Sequence, residues 1–156
     1  TQIVPVDGVT LRGSLAYLNA RYNKFDYVNP LNPVQTINLS GFDLQNAPHW
    51  AGTIGINWSA PLPGGSKVVT DVAYMYTGKK FYTAITDTPR STVQATSLVD
   101  GTVTWHSADD RYTIGLWVKN LFDKHYISTV YDSPGYMGLV GYAPPRQIGA
   151  SAQVNF

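Results

Sequence analysis

The chain ends with the stretch PPRQIGASAQVNF, residues 144–156, and this stretch decides the fold. From Ile148 onwards apolar residues occupy every second position, with small or polar residues between them. Alternation with a period of two predicts a β-strand that has one apolar face and one polar face. The last residue, Phe156, falls on the apolar face, whereas chain termini are usually poorly ordered. We therefore expect an apolar environment that extends to the very end of this strand.

The same alternation recurs upstream and predicts an all-β, antiparallel protein with six full strands and one partial strand. Most of the predicted strands exceed the ~5–6 residues typical of globular proteins and match the ~9–11 residues of a membrane-spanning strand. The predicted segments are 1–6 (partial), 9–24, 48–59, 67–80, 96–106, 111–121 and 146–156. Aromatic residues lie towards the strand ends on the apolar face, where a transmembrane barrel carries its aromatic girdles. They are Trp50, Trp58, Tyr74, Tyr76, Trp105, Tyr112 and Phe156.

The connections between the predicted strands alternate in length. Short turns are expected at 6–8, 60–66 and 107–110, and long segments without a pattern of their own at 25–47, 81–94 and 128–145. Long segments of this kind are usually functional. Short turns on one side and long loops on the other are typical of a transmembrane barrel. Since an open sheet edge is not tolerated in lipid, we expect the strands to belong to a closed barrel.

Composition excludes several classes of function. Charged residues make up 13% of the chain, about half of the usual ~25%, and the net charge of +1 argues against a nucleic-acid partner. No cysteine is present, which excludes a disulfide framework, a thiolate zinc site and a cysteine nucleophile. The three histidines, at 49, 106 and 125, are too scattered for a metal site, and Asp109 and Asp110 fall in a predicted turn. We expect no enzymatic activity, no metal and no cofactor.

Two C-terminal segments resemble a known family. LWVKNLFDKHY at 116–126, followed by GYAPPRQIGASAQVNF at 141–156, is similar to the C-terminus of TonB-dependent outer-membrane receptors. The motif residues are Asn120, Leu121, Phe122 and Asp123, followed by Pro145 and Arg146 before the final strand. LSGFDLQNAPHW at 39–50 and YTGKKFY at 76–82 are weaker matches to segments of the same family.

The resemblance implies a place for residues 1–156 within a larger receptor of the siderophore type. They would be the C-terminal portion of a β-barrel of about twenty-two strands, and the plug domain and TonB box would be absent from this chain. The protein would lie in the outer membrane of a Gram-negative bacterium, with the C-terminus and the short turns periplasmic and the long loops extracellular. Phe156 would be the signal read by the barrel-assembly machinery.

The same resemblance implies active uptake of a scarce nutrient. Its ligand would be a ferric siderophore or a similar compound, and its further partners would be outer-membrane lipid and TonB with its inner-membrane partners. Loop aromatics and arginine suit a planar, anionic iron chelate through stacking and charge. The candidate contacts are Tyr82, Arg90, Tyr131, Tyr136 and Tyr142. The alternative for these tyrosines is packing of the loops and of the upper aromatic girdle.

Within the motif, the orientation of each side chain depends on whether the strand continues past residue 118. If the alternation holds, Leu121 points inward, while Asn120 and Phe122 point outward where the strand leaves the bilayer. Arg146 would pair with an acidic residue of the lumen or the loops.

Two other functions remain open from the sequence. The first is a complete small outer-membrane barrel of about eight strands with a structural or adhesive role. The second is a soluble carbohydrate-binding β-sandwich, in which loop aromatics would stack on sugars. A second protein layer over Ile54, Val103, Leu116 and Ala150 would favour the sandwich.

Overall fold

The fold consists almost entirely of β-strands. The computed structural model describes residues 1–29, 32–83, 92–133 and 137–156, and within these ranges no helix has the length and apolar character needed to cross a membrane. One short 3₁₀-helix, Pro63–Gly65, lies between two strands. The strands of the described residues are β1 (Gln2–Val6), β2 (Val9–Tyr17), β3 (Asp26–Val28), β4 (Thr36–Asn38), β5 (Trp50–Pro61), β6 (Lys67–Thr77), β7 (Lys80–Phe81), β8 (Thr92–Val93), β9 (Thr96–His106), β10 (Tyr112–Lys119), β11 (Ile127–Ser133), β12 (Met137–Tyr142) and β13 (Gln147–Val154).

Seven of these strands form one antiparallel sheet in the order β1-β2-β5-β6-β9-β10-β13. Strands that follow one another along the chain in this sheet are also neighbours in space. Strands β1 and β13 form its two edges, so the sheet is an open wall rather than a closed barrel. The predicted all-β, antiparallel architecture with six full strands and one shorter strand is confirmed.

The turns at one end of the sheet are short and locally stabilised. Gly8 has φ +78, a left-handed conformation that glycine adopts without steric cost, in the turn between β1 and β2. In the turn between β9 and β10, Asp109 Oδ1 accepts hydrogen bonds from Ser107 Oγ (2.6 Å) and from the backbone N–H of Arg111 (3.1 Å). These two bonds, the first above all, lower the pKa of Asp109. Asp109 therefore serves local hydrogen bonding within this turn.

Cross-strand pairing aligns the apolar side chains of the sheet in continuous rows. One row crosses six strands, and its members are Leu11, Ile56, Val72, Gly101, Val118 and Ile148. The members of these rows remain accessible: Ile54 is 63% exposed, Leu116 61% and Ile148 73%. Among the described residues, the buried apolar side chains are Leu39 and Val93, and both belong to long connections rather than to the seven-stranded sheet.

The solvent-accessible surface area of the whole chain is also larger than that of a compact protein of the same mass. The surface measures 10484 Å², whereas a compact monomer of 17.1 kDa is expected to expose about 7,700 Å². No second protein layer covers the apolar face in the described ranges, since Ile54, Val103, Leu116 and Ala150 are all exposed. The alternative of a soluble β-sandwich is therefore wrong, because a sandwich buries these side chains between its two sheets.

The opposite face of the sheet is polar and contains small residues that make room for large neighbours. Arg12 Nη2 contacts both carboxylate oxygens of Asp71, at 2.6 and 2.7 Å, and Asn57 Nδ2 donates to Asp71 Oδ2 at 3.3 Å. To reach Asp71, Arg12 crosses Gly55, where a Cβ would lie 2.7 Å from Arg12 Nε. Any larger residue at position 55 would displace the Arg12 side chain from this path.

The long connections are more regular than their sequences indicate. Each contains a two-stranded hairpin, namely β3–β4, β7–β8 and β11–β12. The expectation that these segments carry no pattern of their own is therefore wrong. Strands β3, β4, β7 and β8 have only two or three residues and are too short to show a period of two. Strands β11 and β12 are longer, and their pairing shifts register between Ile127 and Thr129.

The aromatic ring of Trp117 on the polar face gives a test of the packing. Trp117 pairs with Gly149 across β10 and β13, and a Cβ at Gly149 would overlap the indole ring. We expect Gly149→Val to lower the free energy of unfolding by about 2 kcal/mol through overpacking. Thermal unfolding followed by circular dichroism in detergent micelles measures the change.

The matched control is Ala150→Val, one residue further along the same strand on the exposed apolar face. It introduces the same valine side chain at a position without a protein neighbour to displace, so its melting temperature should equal that of the unchanged protein. Equal melting temperatures for both variants would contradict the packing of Trp117 over Gly149.

Candidate functional site

The predicted motif begins where strand β10 ends. Lys119 is the last residue of β10, and Asn120 has φ +52, a conformation that breaks the extended backbone. Asn120 is the buried polar residue of the described chain, and its backbone N–H donates to Asp100 Oδ1 of β9 at 2.9 Å. The carboxylate of Asp100 thereby satisfies a backbone donor that the ending strand leaves free.

The Asn120 side chain fastens two other segments of the chain. Its Oδ1 accepts from the backbone N–H of Lys124 at 2.8 Å, and its Nδ2 donates to the carbonyl of Lys124 at 2.9 Å. The same Nδ2 lies 3.4 Å from the carbonyl of Pro144, which precedes the final strand. An amide side chain suits this position because it supplies donors and an acceptor together.

Two further motif residues complete the link to the last strand. Asp123 Oδ1 accepts from the backbone N–H of Arg146 at 2.8 Å, and Arg146 Nη1 lies 3.4 Å from the carbonyl of Leu121. We name Asp100, Asn120, Asp123 and Arg146 the clasp, because their hydrogen bonds join the ends of β9 and β10 to the start of β13. Pro145 lies between Pro144 and Arg146, which both take part in these hydrogen bonds, and it is exposed.

The predicted orientation of the motif side chains is wrong. The strand alternation does not continue, because the left-handed conformation of Asn120 turns the chain. Asn120 is buried rather than outward-facing, and Leu121 lines the apolar face together with Leu116 and Val118 instead of pointing inward. Phe122 is exposed. Arg146 was expected to pair with an acidic residue. Asp123 contacts it, but the carboxylate accepts from the backbone N–H of Arg146 and not from its guanidinium.

The candidate ligand residues of the loops fall into separate places. The Tyr82 hydroxyl donates to the carbonyl of Ser128, so it joins the connection after β7 to the β11–β12 hairpin. Tyr131 lies within β11 and is exposed, and Tyr142 ends β12. Arg90 and Tyr136 lie outside the described residues.

Tyr142 lines a cavity of about 410 Å³ near the clasp. Its walls come from the end of the β7–β8 hairpin and from the chain that follows the motif, and its lining residues are Thr92, Val93, Gln94, Ala95, Thr96, Lys124, His125, Tyr126, Ile127 and Tyr142. Several of these residues carry hydrogen-bond donors, and none is acidic. Lys124 forms no ion pair with any described acid, so its charge is available to a ligand.

This cavity brings together residues that the sequence analysis did not select. Lys124, His125 and Tyr126 are the second half of the NLFDKHY motif, and membership in this motif is the one sequence signal that they carry. A cavity of this size with a lysine, a histidine and two tyrosines suits a planar anionic ligand, through charge and contact with ring faces. Of the described candidates, Tyr142 belongs to this site, whereas Tyr82 and Tyr131 do not line it.

Other charged groups lie apart from the cavity. Asp43 Oδ1 lies 3.2 Å from Arg21 Nε and 3.1 Å from His49 Nε2 in the first long connection. In the described ranges, no group of three histidine, aspartate or other metal-binding side chains is close enough to hold a metal ion.

The clasp gives a test of the motif. We expect Asn120→Ala to lower the free energy of unfolding by about 2 kcal/mol, because the backbone groups of Lys124 and Pro144 lose their buried partner. Thermal unfolding in detergent micelles measures the loss. Lys124→Ala is the control, since it removes a side chain but keeps both backbone bonds to Asn120, and it should melt like the unchanged protein. A melting temperature unchanged by Asn120→Ala would show that the clasp does not stabilise the fold.

Three solved structures resemble this chain. The ferric yersiniabactin uptake receptor FyuA from Yersinia pestis aligns with 99% of the chain at 14% identity and a TM-score of 0.77. The siderophore receptor PiuA and the ferric preacinetobactin receptor BauA, both from Acinetobacter baumannii, align with 97% of it at 17% and 16% identity, with TM-scores of 0.74 and 0.67. At this identity the likeness establishes the fold. The chain spans about a fifth of the length of these receptors, since it covers 22%, 20% and 20% of them.

The sequence also matches a family model. No curated protein matches the sequence at a significant level. The model of the TonB dependent receptor-like β-barrel matches residues 5–121, three-quarters of the chain. This match favours a receptor over a small barrel with a structural or adhesive role. Because the apolar wall, the clasp and the family model agree over most of the sequence, the chain belongs to the TonB-dependent receptor β-barrel family.

Proposed function

We propose that this chain forms the C-terminal wall of the barrel of an outer-membrane receptor that imports a ferric siderophore with energy supplied through TonB. The family membership of residues 5–121 is the observation that carries the proposal. Of the three structural neighbours, PiuA is described as a siderophore receptor, FyuA as a ferric yersiniabactin uptake receptor and BauA as the ferric preacinetobactin receptor, and all three align with this sheet. The role is transport rather than catalysis.

The exposed apolar face supports a location in the membrane. A row of apolar side chains across six strands, left uncovered by protein, has hydrocarbon as its favourable environment. The open edges β1 and β13 would then pair with further strands of the receptor, since unpaired edges are not tolerated in lipid. In this arrangement outer-membrane lipid is a direct partner of the wall.

We infer the orientation of the sheet in the membrane from the unequal lengths of the connections at its two ends. The short turns and Phe156 lie at one end of the sheet, and the three hairpins and the clasp lie at the other. Bacterial barrels have short periplasmic turns and longer extracellular loops. We therefore assign the C-terminus to the periplasm and the hairpins to the cell exterior, with Phe156 presented to the barrel-assembly machinery.

The cavity beside the clasp is our choice for ligand contact within this wall. Its described lining includes a lysine, a histidine and two tyrosines, and none of these described lining residues is acidic. Tyr142, Lys124 and Tyr126 become the first candidates, ahead of Tyr82 and Tyr131. Arg90 and Tyr136, which lie outside the described residues, stay candidates on their residue type alone.

The function is tested in the full-length receptor that contains this chain, expressed in a Gram-negative strain deleted for its own siderophore receptors. We expect uptake of a ⁵⁵Fe-labelled siderophore that stops when TonB is deleted. Growth on iron-limited medium gives a second readout. Uptake that continues without TonB, or no uptake of any ferric siderophore by a surface-exposed receptor, would contradict the proposal.

The contribution of the cavity is tested by binding. The double substitution Lys124→Gln with Tyr142→Ala should weaken the dissociation constant of the ferric siderophore by about tenfold, because it removes the positive charge and one ring. Tyr131→Ala is the control, since Tyr131 is exposed on the neighbouring hairpin but does not line the cavity. Equal affinities of the two variants would exclude the cavity from ligand contact.

The assigned role of the last residue is tested by its removal. Deletion of Phe156 from the full-length receptor should lower its abundance in the outer membrane and raise the amount of periplasmic degradation products, because the terminal aromatic is the signal for assembly. Phe156→Trp keeps an aromatic ring on the same face and should preserve abundance. Immunoblots of membrane fractions measure both, and unchanged abundance after the deletion would show that the residue is incidental.

A further inference from the structure

A second cavity lies between the connection that joins β2 to β5 and strand β7. It has a volume of about 370 Å³, and its described lining residues are Arg21, Ser40, Gly41, Phe42, Asp43 and Phe81. It shares none of these residues with the cavity near the clasp. Its volume falls at the lower end of the ~300–1,000 Å³ that is usual for ligand pockets, so a small ring suits it better than a large chelate.

Backbone hydrogen bonds hold the walls of the second cavity in place. Leu39 to Phe42 form a tight turn, in which the N–H of Phe42 donates to the carbonyl of Leu39 at 3.1 Å and Gly41 has φ +85. A positive φ at the third position of a turn favours glycine. A Cβ at Gly41 would meet no atom within 4 Å, so the space beside the turn is open. The opposite wall is fixed by Asn46, whose N–H donates to the carbonyl of Phe81 at 2.7 Å.

The two charged residues of the lining pair with each other and keep part of their hydrogen-bonding capacity. Asp43 Oδ1 lies 3.2 Å from Arg21 Nε and 3.1 Å from His49 Nε2. Within the described part of the chain, Asp43 Oδ2 and the two terminal nitrogens of Arg21 have no partner. The Arg21–Asp43 pair therefore offers N–H donors and a carboxylate acceptor side by side, and its two charges cancel.

Two phenyl rings and a hydroxyl complete the second cavity. Phe42 and Phe81 both line it, and the ammonium of Lys79 lies over the Phe81 ring, 4.9 Å from its centroid. Ser40 Oγ accepts from the backbone N–H of Phe25 at 3.3 Å, and no described group accepts the O–H of Ser40. Apolar rings, hydrogen-bond donors and an acceptor thus meet in one small space.

We propose that the second cavity binds a neutral sugar ring. A hydroxyl group both donates and accepts, so neighbouring sugar hydroxyls satisfy the Arg21 nitrogens and Asp43 Oδ2 together. The C–H groups of a sugar ring form an apolar surface that suits contact with a phenyl ring. A phosphate or a carboxylate would meet the Asp43 carboxylate, and a cation would meet the Arg21 guanidinium, so the pair disfavours both kinds of charged ligand.

Two sources supply sugars of this kind on the outer side of the membrane. The second cavity lies at the end of the sheet opposite to the short turns, and the proposed orientation of the receptor places this end outside the cell. A free glycan in the medium and the polysaccharide of the bacterial surface both present neutral sugar rings there. The sugar chemistry is common to both, and an experiment on whole cells separates them.

Sugar binding is measured on the full-length receptor in detergent micelles, with saturation-transfer-difference NMR. The detergent is lauryldimethylamine oxide, which contains no sugar. The probes are the methyl glycosides of glucose, galactose and mannose, together with sorbitol as an open-chain polyol and benzoate as an aromatic anion. We expect at least one glycoside to bind with a dissociation constant of about 1 mM. Binding of none of the glycosides, or binding of sorbitol or benzoate at least as tight as that of every glycoside, would overturn the proposal.

Two substitutions assign the binding to the second cavity. Arg21→Gln removes the guanidinium donors, and Phe81→Leu keeps an apolar side chain but removes the ring, and each should weaken glycoside binding by about tenfold. The matched controls are Lys24→Gln and Phe122→Leu, because both residues are exposed and neither lines the cavity. Both controls should bind the glycoside like the unchanged receptor.

Correct folding is checked for every variant by its heat-dependent shift in electrophoretic mobility. Equal glycoside binding by folded Phe81→Leu and Phe122→Leu variants would overturn the proposal, even if Arg21→Gln fails to fold. Glycoside binding is measured without transport, so its outcome is separate from that of siderophore uptake. A receptor that imports iron but binds no glycoside would keep the proposed function and lose this site.

The source of the sugar is identified with a fluorescent form of the bound glycoside on receptor-bearing cells. If the surface polysaccharide fills the second cavity, the probe binds only after the polysaccharide has been removed. If the natural ligand is a free glycan, cells with and without the polysaccharide bind the probe equally. Both results support the sugar site when cells that carry Phe81→Leu bind less probe, and equal binding by those cells would contradict it.

Discussion

The sheet depends on an apolar medium outside it. Most apolar side chains of the seven strands lie on one face, and no described part of the chain covers that face. In water this arrangement would expose far more apolar surface than a soluble monomer tolerates. In hydrocarbon the same face is favourable, provided that the strands satisfy every backbone N–H and carbonyl among themselves. The long, regular ladders of β5, β6 and β9 meet this condition over eleven paired positions between β6 and β9.

The clasp supplies hydrogen-bond partners to the backbone groups that lose theirs where this ladder ends. At Asn120 the chain leaves the sheet with a positive φ, and the freed backbone groups need partners close to the boundary of the apolar zone. Asp100, the Asn120 amide and Asp123 provide them within the protein. These bonds also fix the start of β13 against the end of β10. One set of polar contacts therefore anchors the last hairpin and sets the position of Lys124, whose side chain lines the cavity.

The sequence predicted the features that depend on local alternation. The strands, the short turns and the outward positions of Ile54, Leu116 and Ile148 all follow from a period of two. The strand ends were less accurate: the predicted strand 9–24 extends past Tyr17, where β2 ends and where the alternation itself breaks at Leu18. The loop hairpins, the burial of Asn120 and the cavity could not be predicted. They depend on contacts between distant residues, such as Asn120 with Asp100 or Tyr82 with Ser128, which leave no periodic signal.

Glycines on the two faces of the sheet have different neighbours. On the polar face, Arg12 crosses Gly55 and the ring of Trp117 lies over Gly149, so large side chains of the protein use the space. On the apolar face, a Cβ at Gly101 would lie 3.6 Å from Val118 Cγ1 and 4.0 Å from Val72 Cγ2, which are ordinary contact distances. The polar face packs against itself through interstrand contacts. The apolar side chains of the other face have no second protein layer over them in the described residues, and in a membrane their neighbours would be acyl chains.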